Sequence, residues 1–206
     1  MTEKEVKSVL LNDLNFSQDA IYKLDIFCRK VIEYNQRFNL IAKSTIETIW
    51  DRHVLDSAQL TKFIDFNGDS SLSDLGTGAG FPGIVLAIFN RNHKFHVKLY
   101  EKSRVKTKFL IDLCANLNIK ADIYENDYRS HIINSKYIVS RAFKKLEEHI
   151  RISREIVKVN HKLIILKGKS AEEEIKLLNK NFNYSYSLEK SITSPESKIV
   201  IFKIEK

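Results

Sequence analysis

The chain has 206 residues, of which 43% are hydrophobic, and it carries a formal net charge of +8 at pH 7. This length allows one sizeable core, and the positive charge favours a polyanionic partner, of which RNA is the obvious one in the cytoplasm. The sequence has no apolar stretch of the roughly 20 residues that span a membrane, and it does not begin with the layout of a signal peptide.

Helical spacing of apolar residues dominates the chain before its first predicted strand. The predicted helices cover residues 3–14, 17–38 and 44–64. Ser17 is expected to cap the second helix, and Ser44 or Thr45 the third. Because a nucleotide-binding fold that began at its own first strand would not need these helices, we interpret residues 1–69 as an N-terminal helical cap. It is expected to pack on a core of residues 70–206.

Several residues on these helices have both a structural and a functional interpretation. Tyr34, Phe38 and Trp50 could stack on bases, but aromatic residues at helical spacing are more often part of the core. Cys28, and Cys114 further along, show no metal-ligand spacing. We therefore expect no metal site, and both cysteines are expected to be reduced packing residues in a cytosolic protein.

A glycine-rich stretch at residues 72–88 is the strongest local signal in the chain. It holds four of the six glycines, namely Gly76, Gly78, Gly80 and Gly83. A short apolar run precedes the glycines, and an apolar run of helical length follows Pro82, which suits the first position of a helix. The stretch predicts a strand, a tight turn and a helix, an arrangement that binds nucleotide-like cofactors at the carboxyl ends of parallel strands.

Two cofactor classes compete for this loop. Residues 78–83 match the dinucleotide fingerprint G-x-G-x-x-G, whereas residues 74–80 match the acidic-x-G-x-G-x-G loop of S-adenosylmethionine (SAM) methyltransferases. Asp74 favours SAM, because a carboxylate balances its amino group and sulfonium but repels a pyrophosphate. Glu101 ends the next predicted strand, about 20 residues after the loop, where it would accept hydrogen bonds from the ribose of either cofactor.

Strands and helices alternate after the loop and end in a hairpin. The predicted strands cover residues 71–75, 95–101, 119–125, 138–140, 162–167, 183–188 and 198–204. One predicted helix follows the glycines and ends near residue 89. Three more cover residues 103–116, 144–159 and 172–181. The sequence therefore predicts an α/β, Rossmann-like SAM methyltransferase fold, with a mostly parallel seven-stranded sheet that ends in an antiparallel hairpin. A dinucleotide-binding domain would continue into further βα units and a substrate domain.

Motifs spread over most of the chain carry a resemblance to a known family. They occupy residues 34–40, 49–57, 74–83, 140–143 and 166–168. In this order and at these separations, they make the chain similar to the bacterial 16S rRNA 7-methylguanosine methyltransferase family, also called glucose-inhibited division protein B. The resemblance implies a SAM-binding enzyme that methylates N7 of one guanine, the family's nucleotide 527, in 16S rRNA of the small ribosomal subunit.

The resemblance also implies roles for five residues. Carried over by position, Gly76 and Phe81 contact SAM from the loop, and Asn126 and Asp127 lie beside its adenine. Arg141, after the fourth strand, completes the site. With Asp74, Gly78, Gly80 and Glu101 from the sequence pattern, they form the expected cofactor site.

Methylation at guanine N7 makes modest demands on the enzyme. N7 has an in-plane lone pair and no proton at neutral pH, so proximity and alignment are needed but a general base is not. Arg141 is therefore the one catalytic candidate, expected to hold guanine O6 or a phosphate, and the alternative for it is a structural salt bridge. The candidates for substrate binding are Arg52, His53, Lys102, Arg104 and Lys167. The alternative for Arg52 and His53 is a polar network that docks the cap on the core.

Two other functions stay open at this point. A small NAD-dependent oxidoreductase is disfavoured by Asp74, the terminal hairpin and the lack of room for a second domain. A non-catalytic RNA-binding ribosome assembly factor on the same fold is disfavoured by the intact glycine loop. The expected partner is 16S rRNA or the small ribosomal subunit, with no membrane and no obligate protein partner, and the protein is expected to be a cytoplasmic monomer.

Overall fold

The computed structural model describes residues 1–141, 144–178 and 184–206. Its seven strands are β1 (Ser70–Leu75), β2 (Phe95–Glu101), β3 (Asp122–Glu125), β4 (Tyr137–Arg141), β5 (His161–Lys167), β6 (Tyr184–Lys190) and β7 (Lys198–Ile204). They form one sheet in the order β3-β2-β1-β4-β5-β7-β6. The first five strands are parallel, and β7 runs antiparallel to both β5 and β6. The predicted sheet with its terminal hairpin is confirmed.

Helices cover both faces of the sheet. They are α1 (Glu3–Asn12), α2 (Gln18–Asn35), α3 (Asp56–Ala58), α4 (Gly83–Phe89), α5 (Arg104–Leu117), α6 (Leu146–Ile156) and α7 (Ala171–Lys176). Apolar residues of α1, α2, α4 and α5 share one buried cluster with one face of the strands, and those of α6 and α7 share a second cluster with the other face. Alternate residues of β4 and β5 enter the two clusters, as expected for strands buried on both sides.

Helix α2 packs directly on the glycine loop and on α5. Phe27 of α2 packs on Phe81 of the loop, with ring centroids 4.7 Å apart, and Tyr34 packs on Phe109 of α5 at 4.8 Å. One continuous apolar cluster therefore joins residues 1–69 to the sheet. The division of the chain into a cap and a core stays a prediction.

The third predicted helix is irregular and begins later than expected. Lys43–Thr45 forms a separate 3-10 turn, and a π-helical segment at Trp50–Leu55 leads through α3 into a 3-10 segment at Gln59–Phe63. Neither Ser44 nor Thr45 caps the long segment, since Ile49 occupies the N-cap position of its π-helical start and no side chain caps it. Thr45 instead donates its hydroxyl to the carbonyl of Ala42. A π-helical turn shifts the side chains that follow it, which is common where a helix contributes to a site.

Smaller differences concern individual residues and boundaries. Pro82 precedes the first residue of α4 rather than occupying it. Trp50 is buried, as expected, but Phe38 is 41% exposed and therefore not part of the core. Helices α6 and α7 are shorter than predicted, and residues 179–181 of the predicted last helix lie outside the described residues. In the described part of the chain, every helix is too short or too polar to cross a membrane.

Candidate active site

The loop between β1 and α4 turns sharply because three of its glycines adopt a left-handed backbone. Gly76, Gly78 and Gly80 have φ angles of 71°, 61° and 105°. The backbone N–H groups of Gly76 and Thr77 donate to the carbonyl oxygen of Tyr100 at 2.9 and 3.1 Å. These bonds hold the loop against the end of β2.

Asp74 closes the loop from the strand side. Its Oδ2 atom accepts a hydrogen bond from the hydroxyl of Thr77 at 2.6 Å and another from the N–H of Gly83 at 2.8 Å. The side chain is almost completely buried, and this burial raises the pKa of Asp74 to about 6. Asp74 therefore shapes the loop, and its contact with the charged groups of SAM stays a prediction.

Glu101 ends β2 and also fastens the loop. Its Oε2 atom accepts from the N–H of Gly78 at 2.9 Å, and its Oε1 atom accepts from the N–H of Ser103 at 2.8 Å. A carboxylate has about four lone-pair sites, so each oxygen keeps capacity for one more donor. Glu101 therefore has the free acceptor capacity that the predicted hydrogen bonds from two ribose hydroxyls require. By this criterion the residues of the site fit a nucleoside cofactor.

A first cleft, of about 360 Å³, lies where β1, β2 and β3 end. Its lining includes Gly76, Gly78, Glu101, Asn126 and Asp127, which are five of the predicted cofactor residues, together with Lys102. Asn126 has a left-handed backbone, with φ at 111°, and its N–H donates to the carbonyl of Glu101 at 3.3 Å. The first cleft thus brings together residues from three separate segments of the chain.

Gly80 and Phe81 do not line the first cleft and lie in the packed interior. A Cβ atom on Gly80 would lie 2.6 Å from Ile84 Cγ1 and 3.0 Å from Leu110 Cδ2. Phe81 is 3% exposed, and its ring centroid lies 5.0 Å from that of His53. Packing accounts for both residues, so their predicted contact with the cofactor stays a prediction.

A second cleft, of about 310 Å³, lies beside β4 and β5. It is lined by Thr45, Arg52, His53, Asp56, Arg141, Leu166, Lys167, Gly168 and Ser197. Four predicted residues from distant parts of the sequence, Arg52, His53, Arg141 and Lys167, therefore share one concave surface. Three of these four carry a positive charge at pH 7.

Arg141 ends β4 and occupies the second cleft. Its guanidinium carbon lies 5.4 Å from the centre of the Phe81 ring, and its Nη1 donates to the carbonyl of Arg52 at 3.3 Å. Burial lowers the pKa of Arg141, and the carboxylates of Asp56 and Asp74 act in the opposite direction. Since a guanidinium stays charged at any pH that proteins tolerate, Arg141 provides a fixed cation.

The hydrogen bonds around His53 assign its tautomer. The hydroxyl of Thr45 donates its only proton to the carbonyl of Ala42 at 2.8 Å, so its oxygen accepts from His53 Nε2 at 2.8 Å. Burial lowers the pKa of His53 to about 3, with help from the charges of Arg141 and Arg52. The ring is therefore neutral at pH 7, and it has no proton to release from Nδ1.

The remaining basic candidates differ in their exposure and in the acidic side chains that pair with them. The ammonium group of Lys167 is 2.7 Å from Glu174, and its side chain is only 9% exposed. Lys102 lines the first cleft. Arg104 is almost fully exposed and pairs with Glu125 at 3.1 Å. Substrate contact by all three stays a prediction.

Several residues in or beside these clefts were missed by the sequence analysis. Arg129 and Lys144 line the first cleft, Ser197 lines the second, and Thr77 closes the loop through Asp74. Arg129 lies a few residues after the end of β3, and this position in the sequence could have identified it as a site residue. Ala142 and Phe143, which belong to the motif after β4, lie outside the described residues. Within the described ranges, no group of three or more His, Cys, Asp or Glu residues could hold a metal ion.

Comparisons with known proteins agree with this geometry. A family model described as rRNA small subunit methyltransferase G matches residues 20–200. A Pelagibacter ubique protein named ribosomal RNA small subunit methyltransferase G is 33% identical over 203 residues, which are 96% of this chain and 95% of that protein. A Rickettsia akari protein of the same name is 35% identical over 187 residues, covering 91% of this chain and 95% of that protein.

A solved structure shares the fold. The crystal structure of a SAM dependent methyltransferase from Aquifex aeolicus aligns with a TM-score of 0.60 and 15% sequence identity. The alignment covers 85% of this chain and 97% of the Aquifex chain. The predicted class of fold is therefore confirmed by a second, independent comparison.

Proposed function

The chain belongs to the rRNA small subunit methyltransferase G family, and we propose that it transfers the methyl group of SAM to N7 of one guanine in 16S rRNA. Members of this family are SAM-dependent enzymes that act on rRNA of the small ribosomal subunit, and this chain is such an enzyme. The atom and the nucleotide, guanine 527 in the family, are the parts that need an experiment.

The observation that carries the proposal is the second cleft, next to the first cleft. Its lining holds Arg52, Arg141 and Lys167, while the acidic groups there are Asp56 in the lining and Glu174, which pairs with Lys167. Lys167 lines the second cleft, and its Nζ donates at 2.9 Å to the carbonyl of Lys144, which lines the first cleft. A nucleotide held by Arg52 and Arg141 would therefore lie close to a cofactor held by the glycine loop. Basic side chains of this kind fix the register of RNA through its phosphates.

The cofactor supplies an electrophilic methyl group, and the residues of the chain bind and orient. Gly76 and Gly78 allow close approach of the adenosyl group, and Glu101 accepts its ribose hydroxyls. Arg141 donates to guanine O6 or to the phosphate, which orients N7 without placing a cation directly against it. His53 is neutral at pH 7 and takes no part in proton transfer, as methylation at N7 requires no base.

Membership of this family removes the oxidoreductase alternative, since the relatives are methyltransferases over nearly the whole chain. A measurement of methyl-transfer turnover tests the other alternative, a non-catalytic assembly factor on this fold. We place the enzyme in the cytoplasm as a monomer that acts on small subunits, their naked rRNA or an assembly intermediate. The net charge of +8 and the basic residues of the second cleft support the RNA substrate.

The experiment is methyl transfer from labelled SAM to small ribosomal subunits from a strain that lacks this gene. Naked 16S rRNA and assembly intermediates are assayed in parallel, and N7-methylguanine is mapped by borohydride–aniline cleavage. We expect a single SAM-dependent stop in 16S rRNA. Gly76→Asp should abolish it, because a carboxylate side chain would enter the first cleft at a residue with φ of 71°.

Gly68→Asp is the matched control, since a Cβ atom on Gly68 meets nothing within 4 Å and the residue lies outside both clefts. This variant should methylate as the wild type does. SAM binding without incorporation into any of the three RNAs would favour the assembly factor. Incorporation at a position other than guanine N7 would overturn the proposed target.

A further inference from the structure

The loop that joins β6 to β7, residues 191–197, is held by residues from a distant part of the sequence. We call it the hairpin loop. Its own backbone bonds are few: the N–H of Ser191 donates to the carbonyl of Ser197 at 3.2 Å, and the N–H of Ser197 to the carbonyl of Ser194 at 3.1 Å. Ser197 lines the second cleft, so the position of the hairpin loop shapes that cleft.

Gln59 provides the main attachment. Its Nε2 donates to the hydroxyl of Ser191 at 3.0 Å, and its Oε1 accepts from the backbone N–H of Ile192 at 2.9 Å. Gln59 is 1% exposed, so both ends of its amide are committed to partners inside the protein. Buried amides of this kind are costly unless they are satisfied, which makes the attachment specific.

Asp56 completes the attachment and connects it with the site. Its Oδ1 atom accepts from Gln59 Nε2 at 2.9 Å and from the hydroxyl of Thr193 at 3.1 Å. Asp56 also lines the second cleft, and its charge acts on Arg141. The segment that carries Arg52 and His53 into the cleft is therefore the same segment that holds the hairpin loop.

We propose that Asp56 and Gln59 hold the hairpin loop as one wall of the second cleft, and that this wall positions the RNA around the target guanine. The proposal rests on the proposed function of the second cleft. A loop on the protein surface is ordinarily mobile, and its attachment to a rigid segment turns it into a fixed binding surface. The hydroxyls of Ser191 and Thr193 serve the attachment, so the loop would meet the sugar–phosphate chain beside the base through Ser197, which lines the second cleft.

Thr193→Val tests the wall with a side chain of nearly the same shape. It removes a hydroxyl with two hydrogen bonds, one to Asp56 Oδ1 at 3.1 Å and one with the hydroxyl of Ser191 at 2.9 Å. It should raise the KM for small subunits about tenfold, because the wall loses its hydrogen bond to the carboxylate of Asp56. The kcat value and the dissociation constant of SAM should stay within about twofold of wild type, since the hairpin loop does not line the first cleft. Thr193→Ser keeps the hydroxyl and should restore the KM.

Thr61→Val is the matched control, because Thr61 also donates its hydroxyl at 2.8 Å, but to the carbonyl of Ala58, three residues away in the same segment. It should leave the KM unchanged. Gln59→Met is a second variant that removes the other attachment. Because both act through one loop, the double variant with Thr193→Val should raise the KM less than the product of the two single effects.

The failure of this inference is distinguishable from failure of the proposed function. If the wild type methylates small subunits and folded Thr193→Val has an unchanged KM, the wall does not position RNA and the inference is overturned. A parallel loss of SAM affinity in this variant would overturn the inference as well, because the substitution would then disturb both clefts and not the RNA-binding wall alone. If the wild type methylates no guanine N7, the proposed function fails instead.

Discussion

The backbone N–H of Gly83 donates to the carboxylate of Asp74 at 2.8 Å, and this bond fastens the start of α4 to β1. The two residues approach so closely that a side chain on Gly83 has no room. A Cβ atom there would lie 2.2 Å from Leu99 Cδ2 and 2.7 Å from Asp74 Oδ2. Glycine at this position therefore serves helix-to-sheet packing, while Gly76 and Gly78 serve the first cleft.

The substitution Gly83→Ala should lower the free energy of unfolding by about 2–3 kcal/mol, because the added methyl group forces α4 away from β1 and β2. Gly68→Ala is the control, since a Cβ atom on Gly68 meets nothing within 4 Å. Its effect should stay within about 0.5 kcal/mol. Urea denaturation of both variants measures the difference, and equal stabilities would contradict the packing role of Gly83.

Asp74 should make stability depend on pH in a direction opposite to that of most carboxyl groups. Burial raises the pKa of Asp74 to about 6 in the folded protein, against an ordinary value of 3.8. The folded state therefore binds this proton more tightly than the unfolded state does. The resulting stabilisation is fully present below the ordinary pKa and is lost as the pH rises through about 6.

Asp74→Asn removes this titration and keeps an oxygen that can accept from Gly83. The stability of the variant relative to wild type should increase by about 3 kcal/mol between the ordinary pKa and neutral pH, as a shift of about two pKa units implies. Urea denaturation of both proteins across this range, without SAM, gives the difference. A difference that does not change with pH would show that Asp74 titrates normally.

The sequence predicted the sheet because its signals are local. Short apolar runs such as those at β4 and β5 indicate buried strands, and the glycines after Asp74 indicate the turn. The third helix was predicted less well, because its apolar spacing does not distinguish a regular α-helix from the π-helical segment at Trp50–Leu55. Nor does a local pattern carry information about contacts between segments, such as that of His53 with Phe81.

The site shows the same division between local and distant signals. Glu101 was predicted from its place at a strand end, and the structure places it on the loop. Gln59 and Thr193 were not singled out, because the bonds that give them a role join segments more than 130 residues apart. No pattern within either segment indicates such a pairing.

Glu101→Gln should weaken SAM binding at least tenfold. Both oxygens of Glu101 accept backbone N–H groups, and an amide can present only one acceptor atom, so one of Gly78 or Ser103 loses its partner. The acceptor for one ribose hydroxyl is lost as well. Calorimetric titration with SAM measures the change. Glu125→Gln is the control, because Glu125 ends the adjacent strand, lies outside the first cleft and should leave the affinity unchanged.

Arg141→Lys should reduce kcat/KM for methyl transfer to small subunits by about 100-fold, although it keeps the positive charge. A lysine lacks the planar fork of donors that can hold guanine O6 or a phosphate while contacting the Phe81 ring. Its single ammonium group cannot do this and also donate to the Arg52 carbonyl. Arg91→Lys is the matched control, since Arg91 lies outside both clefts and donates to the carbonyl of Asn15. Single-turnover rates with excess enzyme separate the chemical step from binding. If Arg141→Lys and Arg91→Lys both methylate at the wild-type rate, then charge alone suffices at this position and the orienting role of Arg141 is wrong.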